Sequence, residues 1–187
     1  MALRRLPYSA TMPLVRDYLL RRGEDEKTKS LIQDLRVARK RGYLRRSELA
    51  EICHWKSPRA IRHIKANSAS AIRNATHAAL ATRSERQRLE ALRKLKGVSV
   101  PMASAVLMLL NPKRYGVIDI RVWQILYKLG TVTTNSKGVA FSFNNWYQYL
   151  KIIRYFAKSL RTTPREIDRA LFGAHKEFQR GPLYAKQ

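Results

Sequence analysis

With 187 residues and 45% hydrophobic side chains, the chain can fill one ordinary domain core or two small helical lobes, which excludes wholesale disorder. Its 38 Lys and Arg against 13 Asp and Glu leave a net charge of +25, and self-repulsion on that scale is costly unless a polyanion shares the surface. Nucleic acid is the expected partner; an anionic membrane competes, but no segment reaches the roughly 20 apolar residues of a span.

The opening MALRRLPYSA carries arginines with no apolar signal core behind them, so a cytoplasmic location is expected. Leu31, Leu35 and Ala38 then fall at helical spacing. Ser47 reads as the start of SELAEICHW, and Ser57 with Pro58 as the start of SPRAIRHIKAN. Cys53 is the only cysteine, which excludes a disulfide, an iron–sulfur cluster and a cysteine-based zinc site. His54, His63, His77 and His175 show no paired ligand spacing, so neither a metal nor another cofactor is expected. Cys53 reads as a small buried hydrophobe.

Ile61, Ile64, Ala75, Ala78 and Ala79 continue the helical pattern. Ser84 with Gln87 makes a capping box before RLEALRKL, and Thr163 with Glu166 makes another before IDRALFGAHKEF. Asn144 or Asn145 reads as the cap of WYQYLKIIRYFAKSL. Only Gly130 to Phe143, rich in Thr, Ser, Gly and Asn, has the composition of a hairpin or a flexible loop. The fold class is therefore all-α.

The most informative stretch is LRKLKGVSVPMASAVLMLL followed by NPKRYGVIDIRVWQILYKLG. A basic amphipathic helix ends at Leu95, the tight turn KGVS follows, and an apolar helix begins near Pro101. Gly97 permits backbone angles closed to other residues, and the next helix offers unpaired N–H groups at its positive end. Such a turn suits a phosphate oxygen; it equally suits an ordinary corner of the core.

LKGVSVPMASAVLML resembles the hairpin of the helix-hairpin-helix DNA glycosylase superfamily, and GVIDIRVWQI resembles the Val-Asp segment that follows it there. The likeness is closest to the 8-oxoguanine glycosylase branch and covers about Leu92 to Leu126. It implies a two-lobed all-helical fold. One barrel-like lobe would span 24–128, with the hairpin at about 88–110; the other would combine 1–23 with 129–187. It also implies a monomer acting on double-stranded DNA, and Asp119 as the catalytic carboxylate in the cleft. Asp119 has a compatible structural reading as the cap of IRVWQILYKLG.

Further roles follow from the resemblance. Lys96, Gly97, Val98, Ser99 and the amide of Met102 would clamp the phosphate beside a flipped nucleotide, and Arg121 would meet another phosphate. A solvated basic surface is the plainer reading of Lys96 and Arg121. Carbonyls of Arg93, Leu95 and Val98 would hold a monovalent cation. The segment with Arg59, Arg62, His63, Lys65 and Arg73 would supply wedge and backbone contacts. Trp55, Trp123, Tyr127, Trp146 and Tyr147 are candidate walls of the base pocket, or plain core.

The chain departs from the family pattern at Lys96 and Ser99, where a proline and a glycine are usual. Pro101 stands where members with lyase activity carry their Schiff-base lysine, which excludes strand cleavage through that position. The expectation is a monofunctional glycosylase that hydrolyses the N-glycosidic bond of a damaged or modified base and leaves an abasic site. Repair is the default role, and defence against phage with modified DNA is another. The rivals are a non-catalytic DNA-binding module and a lyase using Lys94, Lys96 or Lys113.

Overall fold

The computed structural model describes residues 8–21 and 23–178, and among them the fold is all-α, with no strand. The helices are α1 (Thr11–Arg21), α2 (Glu26–Arg41), α3 (Arg46–Lys56), α4 (Ile61–Lys65), α5 (Ala69–Ala81), α6 (Glu85–Arg93), α7 (Val100–Leu110), α8 (Ile120–Lys128), α9 (Phe143–Ser159) and α10 (Pro164–Phe178). A 3-10 turn, Pro58–Ala60, precedes α4. Residues 1–7 of the opening stretch, and the parts of the expected second lobe at 1–7, 22 and 179–187, lie outside the described residues.

Local chemistry sets most boundaries. Asp25 caps α2 by accepting from the Thr28 amide at 2.9 Å, and α2 ends where Gly42 turns left-handed at φ 84°. Ser68 and Ser84 cap α5 and α6, and Thr163 with Glu166 forms the expected reciprocal box at α10. At Ser84 the box is only half formed, because the Gln87 side chain accepts from Thr82 Oγ1 instead.

Three expected starts move. α3 begins one residue early, where the Arg45 amide donates to Glu48 Oε2 at 2.6 Å and Ser47 sits inside the helix. Ser57 makes no side-chain cap, since Pro58 opens a 3-10 turn rather than an α-helix. Ser142, not Asn144 or Asn145, caps α9; Asn145 is the reciprocal partner three residues on.

α7 is buried at every position except the partly covered Pro101, as expected of a helix apolar all round. Helices α2, α3, α6 and α9 pack on it. A second group forms around α10, which packs against α1, α8 and α9. Amphipathic α8 buries Val122, Trp123, Ile125 and Leu126, and it meets α10 rather than α7. The link from Asn111 to Asp119 leads from α7 into α8. No helix among the described residues is long and apolar enough to cross a membrane.

Candidate active site

A tight turn joins α6 to α7, with α6 ending at Arg93 instead of the expected Leu95, and its rigidity comes from elsewhere. Gly97 adopts φ 80°, and a Cβ there would lie 2.8 Å from His63 Cβ and 3.3 Å from the Ile64 amide nitrogen. Gly97 is thus needed for close packing on α4 as much as for its backbone angle. Asn67, buried at the end of α4, donates to the Lys96 carbonyl at 3.0 Å and accepts from the Lys96 amide at 2.8 Å. The Val98 amide closes the turn on the Leu95 carbonyl at 3.1 Å. That bond also engages one of the three carbonyls expected to hold a cation.

Ser99 caps α7, its Oγ facing the Met102 amide at 3.5 Å. This changes the expected phosphate clamp. The Met102 and Lys96 amides already have protein partners, and the Met102 side chain is buried. The amides of Gly97 and Ser99 have no acceptor among the described residues. Gly97 and Ser99 are exposed, as is the Lys96 side chain beside them, while Val98 is buried.

Asp119 caps α8, its Oδ1 accepting from the Val122 amide at 3.0 Å. Its other oxygen, Oδ2, faces Lys56 Nζ at 3.5 Å, and the two side chains are 18% and 17% exposed. The carboxylate is held on a helix end yet reachable. It borders two clefts at once. The smaller, about 540 Å³, is lined by Lys56, Arg59, Gly97, Ser99, Pro101 and Arg121 among others. The larger, about 650 Å³, is walled by Trp55, Lys56, Arg165, Asp168 and Phe172 among others.

A largely covered ion network, with Asp168 buried at its centre, floors the larger cleft. Arg165 grips Glu24 with Nε at 2.7 Å and Nη2 at 2.9 Å, and reaches Asp168 with Nη1 at 2.6 Å. Asp168 also accepts from the Tyr149 hydroxyl at 2.9 Å. Burial pushes the Asp168 carboxyl above the usual carboxylate range, Arg165 opposing and the nearby Asp119 adding to the shift. Burial likewise raises the Tyr149 hydroxyl, with Asp168 adding to it. Trp55 completes the wall, donating from Nε1 to Thr28 Oγ1 at 2.9 Å.

Of the aromatic residues proposed as pocket walls, Trp55 alone borders a cleft with Asp119. Trp123 and Trp146 are fully buried and belong to the core. Trp123 donates from Nε1 to the carbonyls of Thr134 and Asn135 at 3.2 and 2.9 Å and packs edge-on to Phe141. These contacts, with that of Gln124 to the Lys137 carbonyl at 3.1 Å, pin the 129–142 segment as a strand-free loop. Tyr127 is exposed on α8 and borders neither cleft; Tyr147, also exposed, stacks on Phe143.

Arg121 borders the smaller cleft, with its guanidinium 5.6 Å above the Phe172 ring. Arg59, Arg62, His63, Lys65 and Arg73 are all exposed, and Arg59 borders the same cleft. Cys53 is buried, which raises its thiol above its usual value. Among the described residues, no group of three or more His, Cys, Asp and Glu is placed to hold a metal ion.

Sequence reading missed Lys56, Asn67 and Arg165. A lysine ending one helix and an arginine opening another carry no local signal of meeting a carboxylate far along the chain. Asn67, before the Ser68 cap, looks like ordinary loop punctuation. The comparisons add no relative: no protein-family model, no curated protein and no solved structure matches this chain.

Proposed function

We propose that the protein is a DNA glycosylase that releases a damaged or modified base from double-stranded DNA and leaves an abasic site. The observation that carries this reading is the place of Asp119, a reachable carboxylate on a helix end where two clefts meet. The smaller cleft adjoins the exposed hairpin amides and the cations Arg59 and Arg121, which suits a phosphate backbone. The larger is wide enough for an extruded base and offers Trp55 as a stacking surface. A net charge of +25 supports a polyanionic partner.

In this reading the hairpin anchors the phosphate next to the flipped nucleotide. Breaking the base–sugar bond develops positive charge on the deoxyribose, and Asp119 stabilises that charge and orients the attacking water. The two helix groups on either side of Asp119 support a two-lobed architecture.

The test uses a panel of duplexes with modified bases, heated in alkali after incubation to reveal abasic sites. Base release is expected from the wild type and its collapse in Asp119→Asn, with duplex binding retained. Base release undiminished in Asp119→Asn removes the carboxylate from the mechanism and leaves a DNA-binding module.

A further inference from the structure

The hairpin carries Pro101 where an amine would serve lyase chemistry, yet the smaller cleft is not without one. Lys56, the last residue of α3, borders the same cleft as Pro101 and lies 3.5 Å from Asp119. Lys94, Lys96 and Lys113 are exposed and border neither of the two clefts. Lys27 and Lys176 border only the larger one. Among the described lysines, Lys56 alone borders both.

We propose that Lys56 is a catalytic amine that forms a Schiff base with the abasic deoxyribose, giving the protein a strand-cleaving activity from α3 instead of from the hairpin. This rests on the glycosylase reading, because it places the sugar beside Asp119. Three features favour an amine over a plain charge partner. Asp119 Oδ1 already has the Val122 amide, so Lys56 is not needed to satisfy the cap. The Nζ–Oδ2 contact is single and long, which leaves two N–H bonds uncommitted to Asp119. The side chain is mostly covered, so its head is confined to the cleft instead of sweeping through solvent.

The chemistry closes without an oxidant or reductant. Lys56 loses a proton to solvent by way of Asp119, and the free amine adds to the C1′ aldehyde carbon of the ring-opened sugar. The Nζ–C1′ bond forms, the C1′ oxygen takes up a proton from solvent and leaves as water, and a protonated Schiff base remains. Its charge acidifies C2′; Asp119 takes a C2′ proton, and the electrons left behind expel the 3′ phosphate. Hydrolysis of the imine restores the amine.

The test incubates the full-length protein with a duplex bearing one preformed abasic site, in the presence of borohydride, and maps any adduct by peptide mass spectrometry. The site is preformed, so the outcome does not depend on base release, which the modified-duplex panel measures separately. A covalent adduct on Lys56 is expected, with yield reduced roughly tenfold or more in Lys56→Arg, which keeps the charge but has no primary amine. Lys113→Ala, which removes an exposed lysine that borders neither cleft, should trap like the wild type. Absence of an adduct with the wild type, its mapping to another lysine, or an undiminished yield in Lys56→Arg each overturns the proposal. Mapping on the wild type decides the matter even where a variant folds poorly.

Discussion

Asn67 holds the backbone of Lys96 from both sides, its Nδ2 donating to the carbonyl at 3.0 Å and its Oδ1 accepting from the amide at 2.8 Å. The same Nδ2 also reaches the carbonyls of His63 and Ile64 at 3.1 and 3.0 Å. One buried carboxamide therefore ties the end of α4 to the hairpin turn, and with it the exposed amides beside the cleft.

Asn67→Ala leaves the Lys96 amide and carbonyl without a protein partner, while the His63 and Ile64 carbonyls keep backbone donors, and is expected to cost about 2 kcal/mol. Urea unfolding should show a lower midpoint with an unchanged slope. DNA affinity should fall as well, because the turn loses its anchor. An unchanged midpoint would mean that water replaces the carboxamide at no cost.

Asp119 combines a helix cap with a charge facing Lys56, and substitution can separate the two. Asn caps helices about as well as Asp, so Asp119→Asn should alter stability by only a few tenths of a kcal/mol. Asp119→Ala loses the bond to the Val122 amide and should cost about 1 kcal/mol. Thermal unfolding of both variants beside the wild type gives the comparison. Equal losses in the two would show that charge, rather than the cap, is what α8 depends on.

Arg121 and Lys96 flank the proposed phosphate site from different elements. Replacing either with Ala should weaken binding to all duplexes alike, whatever their sequence. The slope of log affinity against log salt should become shallower by about 0.9 for each phosphate that the variant no longer neutralises. A salt titration of the wild type and both variants measures it. Weakening confined to one modified duplex, with the slope unchanged, would place the side chain at the base instead.

Glu85 joins α6 to the segment before α8 and to α9. It bonds Arg114 at 2.8 Å, Arg154 at 2.9 Å and the Tyr115 hydroxyl at 3.0 Å. Burial alone would raise its carboxyl, but the bonds from Arg114 and Arg154 outweigh burial and hold it below its ordinary value of 4.5. The folded value lies below the unfolded one, so the unfolded chain binds more protons between them. The contribution is complete above the ordinary value and is lost as pH falls toward the folded one. Glu85→Gln should cost about 2 kcal/mol at neutral pH. The gap from the wild type should narrow as pH drops below 4.5. A gap that is constant with pH would assign the loss to packing.

Much of the fold was legible because its signals are local. Ser84, the Thr163–Glu166 pair and the apolar run Val100–Leu110 act within a few residues, where side chain and backbone meet whatever the rest of the chain does. Asp119 as the cap of α8 belongs to the same class. The shifted starts at Arg45 and Ser142 show the limit: in both, a side chain three residues on, Glu48 or Asn145, accepts from the amide before the helix and fixes where the helix begins.

The cleft was settled by interactions that no local pattern records. Lys56 meets Asp119 across 63 positions, Asn67 meets Lys96 across 29, and Arg165 meets Glu24 across 141. Periodicity also could not tell which tryptophans face a cavity, because Trp123 and Trp146 sit on helices whose apolar stripes turn into the core while Trp55 borders open space. By itself the sequence determined the helices, the hairpin and the excess of positive charge. Tertiary packing alone decided which side chains share the space around Asp119, because burial and ion pairing depend on distance in space and not on spacing along the chain.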